Sequence, residues 1–158
     1  PDFGRAHVLV ALSHLHFLRF GAAEAQVQEA LAVHPDFADA RELEALIPEL
    51  RAEARRLKGV AASPGPEDRV ALARLESRLG RRPQALERWT EVTRDEAQPR
   101  EVRAEGAAFL VQVAELPEAE AALAAARELA SPAVVPSLEE RLHARRLVYE
   151  RLSPALPR

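Results

Sequence analysis

One small pattern limits what this chain can fold into more than any other. Ala23-Val27-Ala30, Ala85-Trp89-Val92 and Ala119-Leu123-Ala126 each step by four and then three residues. Those steps put the members of a triplet on one face of an α-helix. About a dozen residues upstream of each sits a small or apolar pair: Val10-Ala11, Leu72-Ala73 and Gly106-Ala107. Small residues on facing helices let the two backbones approach closely, so each copy specifies an antiparallel helix pair.

Composition points the same way. Alanine is the commonest residue, aromatic residues make up 4%, and Thr, Ile and Tyr are scarce, so strands have little to build from. An all-α fold of about eight antiparallel helices is expected, with most of the 12 prolines acting as punctuation at helix starts and ends. Helices are predicted over 3–16, 22–33, 36–58, 66–79, 83–94, 99–114, 117–130 and 137–152. Asp36 is placed to cap the third, and Ser137 with Glu140 has the spacing of a capping box for the last. Pro48 falls inside the third pattern, where a missing backbone donor and a crowded preceding turn should kink or divide the helix. Gly59–Pro66 alone has linker composition. The chain is therefore read as one domain, 1–158, in six parts: a first helix pair (4–37), a long kinked helix (38–58), a linker or packed loop (59–65), two further pairs (66–98 and 99–131) and a capping helix (136–152).

These repeats resemble the tetratricopeptide repeat (TPR) family. Ala85 and Ala119 lie 34 residues apart, the length of that family's unit, and Phe20, Pro35, Gly80, Trp89, Leu110, Leu116 and Leu123 fall where it places turn or packing residues. The chain departs from the pattern between Ala23 and Ala85, which are 62 residues apart, and at Arg82, Glu76 and Gly106. The resemblance covers most of residues 4–131. It implies a right-handed α-α superhelix, a TPR-like solenoid, whose first helices line a concave groove. The groove positions it implies are Arg5, Val8, Leu12 and His16 in the first unit, Arg74, Ser77 and Arg78 in the second, and Gln112 in the third. That set is apolar at one end and basic at the other, as a groove for a peptide with acidic residues would be. The family branch that grips chaperone carboxylates needs Lys, Asn and Arg at places held here by Val8, Leu12 and Ala104, so that activity is not expected.

The chemistry-bearing residues point to no reaction. With no cysteine, thiolate zinc sites and cysteine nucleophiles are excluded together. His7, His14, His16, His34 and His143 lack the adjacent-turn spacing of a helical zinc pair. Asp36 with Asp39, and Glu139 with Glu140, sit in first helical turns, where they complement the helix dipole. No serine lies in a nucleophile motif, and Gly65 lies in no phosphate loop. Neither a catalytic residue, a metal nor a cofactor is expected. The net charge of −3 mixes both signs along the chain, which argues against a nucleic-acid partner. No apolar run approaches the ~20 residues that span a bilayer.

Arginine is the remaining candidate. Arg51, Arg55 and Arg56 share one helix, Arg74 and Arg78 another, and Lys58 is the single lysine. The expected function is a non-catalytic scaffold that binds a peptide or a partner surface in its groove. The alternatives are a regulatory or positioning domain of a larger multidomain enzyme, and a module that self-associates through exposed apolar residues of the first helix. Pro1-Asp2-Phe3 repeats the Pro35-Asp36-Phe37 that closes the first unit, so the sequence is expected to be part of a longer polypeptide with another helix pair upstream.

Overall fold

The computed structural model describes residues 3–152, so Pro1 and Asp2 of the opening Pro-Asp-Phe lie outside the described residues. Those residues form eight α-helices and no strand. Contacts divide the chain into two compact units, one ending at Arg81 and the other starting at Arg82. The first holds α1 (Phe3–His16), α2 (Phe20–Val33), α3 (Ala38–Lys58) and α4 (Pro66–Arg78). The second holds α5 (Arg82–Arg94), α6 (Arg100–Val113), α7 (Leu116–Leu129) and α8 (Val135–Leu152). No helix among the described residues is long and apolar enough to cross a membrane.

All nine members of the three triplets are buried. In the first unit each helix packs on the next, α1 on α2, α2 on α3 and α3 on α4. Val8, Ala11 and Leu15 of α1, Val27 of α2, Ile47, Leu50 and Leu57 of α3, and Leu72 and Leu75 of α4 belong to a common core. Polar links tie the same neighbours together: Arg51 meets Glu24 at 2.6 Å and Arg56 meets Asp68 at 3.2 Å. A hydrogen bond from Gln28 and another from Arg41 hold the Glu44 carboxyl below the usual carboxylate range. In the second unit α6 packs on α5, α7 on α6, and α8 on both α7 and α6. Gly106 lets α6 lie against α5, because a Cβ there would stand 2.4 Å from Thr93 Oγ1 and 2.9 Å from Trp89 Cε3.

Helix ends follow tertiary anchoring more than local capping. Asp36 does not cap α3: the N-cap position is Phe37, which makes no side-chain cap bond and packs its ring against the core instead. No capping box forms at Ser137, since α8 starts two residues earlier and Ser137 Oγ donates back to the Val134 carbonyl at 2.9 Å. Pro48 does not divide α3, which runs unbroken from Ala38 to Lys58. Its ring is exposed, so the freed carbonyl one turn back faces water, while Ile47 and Leu50 beside it are fully buried. Gly59–Pro66 is a packed loop within the first unit, with Val60 against the core. Residues 66–98, grouped in the sequence as one pair, straddle the two units: α4 packs on α3, and α5 on α6.

The ends of α1 and α4 share one motif. Arg19 N–H reaches the His14 carbonyl and Leu18 N–H the Leu15 carbonyl, both at 2.9 Å. At α4 the same bonds join Arg81 to Glu76 at 2.9 Å and Gly80 to Ser77 at 3.1 Å. Such a close needs a left-handed residue, here Gly80 with φ 67° and Leu18 with φ 58°.

Candidate functional site

The first helix is apolar on more sides than its packing uses. It buries Gly4, Val8, Ala11 and Leu15. A turn of 100° per residue then sets two adjoining stripes outside: Arg5, Leu9, Leu12 and His16, and beside them Phe3, Ala6, Val10 and Ser13, continued by Phe17. Leu9 is 60% exposed, Val10 43% and Phe17 63%. Scattered exposed apolar residues need no explanation, but a continuous run on one helix marks an interaction surface. The edges of this run are cationic. Arg19 lies 5.7 Å from the Phe17 ring centre, and His16 packs edge-on to the same ring at 5.0 Å. No Asp or Glu occurs from Phe3 through Ala23.

Three of the sequence-derived groove residues, Arg5, Leu12 and His16, thus share a stripe on α1, with His16 half-buried. Val8 is in the core at 5% exposure. Arg74 and Arg78 are exposed on α4, and Arg78 is engaged within the first unit, at 3.4 Å from both Glu49 and Glu53 of α3. Ser77 Oγ donates to the Ala73 carbonyl at 2.8 Å. Gln112 is exposed on α6 in the second unit.

The arginines with the largest structural part in the second unit stand outside the clusters legible in the sequence. Arg103 Nε donates to the Thr93 carbonyl in the last turn of α5, at 3.0 Å. From the start of α6, Arg100 reaches the Leu129 and Glu128 carbonyls at the end of α7, at 3.0 and 2.7 Å. Arg145 on α8 donates to the Val111 carbonyl at 2.6 Å and to that of Ala114, at the end of α6. Each satisfies carbonyls that a helix terminus leaves without an internal partner. Because the acceptors are backbone atoms distant in sequence, residue spacing carries no signal for them.

The second unit also has a cleft of about 420 Å³, lined by Leu86 and Thr90 of α5, Leu110 of α6 and Ala121 and Ala125 of α7, with Arg94 and Glu118 also in its wall. The Thr90 hydroxyl is bonded to the Leu86 carbonyl and that of Thr93 to the Trp89 carbonyl, which leaves the lining largely apolar. Among the described residues, no group of three or more His, Cys, Asp or Glu is placed to hold a metal ion. Comparison with protein-family models, with curated proteins and with solved structures finds no match.

Proposed function

We propose that this chain is a non-catalytic protein-interaction scaffold and that the outer face of α1 is its partner surface. The observation that carries this reading is the continuous exposed run of Leu9, Val10, Leu12 and Phe17, bordered by Arg5, His16 and Arg19 and free of carboxylates from residue 3 to residue 23. An apolar strip with a cationic edge suits a partner that brings apolar side chains together with acidic ones. A TPR-like right-handed solenoid belongs to the same reading, supported by three copies of one helix-pair pattern with a constant spacing between their two parts.

The test is affinity recovery from the native host with three forms of the chain: wild type, Leu12→Glu with Phe17→Glu, and Ala52→Glu as an exposed control on α3. Wild type and the control should recover one and the same partner, and the double variant should lose it with its helicity unchanged. Undiminished recovery by the double variant would reject α1 as the surface.

A further inference from the structure

The repeated pattern supplies two internal counterparts for the bare stripe of α1. Val10, Ser13 and Phe17 correspond to Leu72, Leu75 and Leu79, 62 residues on, and to Gly106, Phe109 and Val113, 34 further. In the first unit Leu72, Leu75 and Leu79 are all buried, in the core that α3 and α4 share. In the second unit Gly106 lies against Trp89 of α5, and the Phe109 and Trp89 ring centres are 6.1 Å apart. The preceding helix therefore covers this stripe in both copies. On α1, Val10, Ser13 and Phe17 are all exposed.

The covering helix in the α4 copy also shows which charges go with the position. Arg78, the counterpart of His16, meets Glu49 and Glu53 on α3. Resting on the scaffold reading above, we propose that the outer face of α1 receives an amphipathic helix of a partner protein, apolar along Val10, Ser13 and Phe17 and acidic toward His16 and Arg19. Small Ala6 and Ser13 alternate with larger Phe3, Val10 and Phe17, a notched ridge of the kind that interlocks with side chains of a second helix. A lipid surface makes no use of such notches. A second copy of the chain would bring cations against cations, since neither α1 carries a carboxylate.

A displayed library of helical peptides on the α3 frame, residues 38–58, tests this. Positions 49 and 53 are fully randomised, the apolar positions vary among apolar residues, and the whole chain is the bait. Enriched peptides should carry Asp or Glu at the randomised positions, and their binding should fall at least about tenfold on Val10→Glu with Phe17→Glu. Enrichment without acidic preference overturns the charge assignment and leaves the scaffold reading standing. Equal binding to wild type and variant, or no enrichment, overturns the helix site, whereas failure of the scaffold reading shows separately as partner recovery that ignores Leu12 and Phe17. The proposal is also overturned if the chain co-sediments with phosphatidylserine vesicles, or dimerises with rising concentration, in a manner that Phe17→Glu abolishes.

Discussion

A leucine at position 18 holds the left-handed conformation that Gly80, its counterpart 62 residues on, adopts without steric cost. For an L-residue with a Cβ that conformation costs roughly 1–2 kcal/mol, and a glycine gives back part of the gain by freeing the unfolded chain. Leu18→Gly is expected to raise stability by up to about 1 kcal/mol, read as a higher midpoint in urea; an unchanged or lower midpoint would show that the Leu18 side chain contributes more than the turn costs. The reverse substitution has the opposite sign at Gly106. In an open helix, Gly→Ala gains nearly 1 kcal/mol of propensity. Here the new methyl would overlap Thr93 Oγ1 and the Trp89 ring. Gly106→Ala should therefore destabilise by about 1–3 kcal/mol net, and a gain in thermal stability would contradict the close approach of α5 and α6.

At the scale of helices, two devices join neighbours. One is apolar: Trp89 is 2% exposed between α5 and α6, so Trp89→Ala should cost roughly 3–5 kcal/mol, and a thermal melt without loss would place the ring elsewhere. The other is the arginine fork. Arg145 spans two carbonyls near the end of α6, where a lysine has a single point of charge, so Arg145→Lys should lose about 1 kcal/mol. Faster amide exchange in α8 and the last turn of α6 would accompany that loss, and unchanged exchange would argue against the fork. Triplet positions, proline boundaries and the burial of Trp89 were legible in the sequence because a helix face is a local property. Capping by Asp36 and Ser137 was not, because side-chain chemistry permits a cap while packing of Phe37 and the start at Val135 decide where the helix begins. Val10 was read within a paired small-residue site, yet it is exposed. Its burial would depend on a covering helix, which its own neighbours in sequence do not encode.

For the molecule as a whole, function follows from which repeated positions are covered and which are not. Arg74 and Arg78 stood out in the sequence as binding candidates, but Arg78 is engaged by Glu49 and Glu53. The bare counterpart lies on α1, where apolar exposure and a one-signed charge edge coincide. Long-range attraction to that edge weakens with salt, whereas the apolar contact does not, so the two contributions separate by ionic strength. The most direct measurement is the dissociation constant of one selected helix in two versions, with Glu and with Lys at its flanking positions, against the wild-type chain at low and high salt. The Glu version should bind at least about tenfold more tightly at low salt, with the gap narrowing as salt rises and both versions failing on Val10→Glu with Phe17→Glu. Equal affinities for the two versions, or binding that survives in the double variant, would contradict the account.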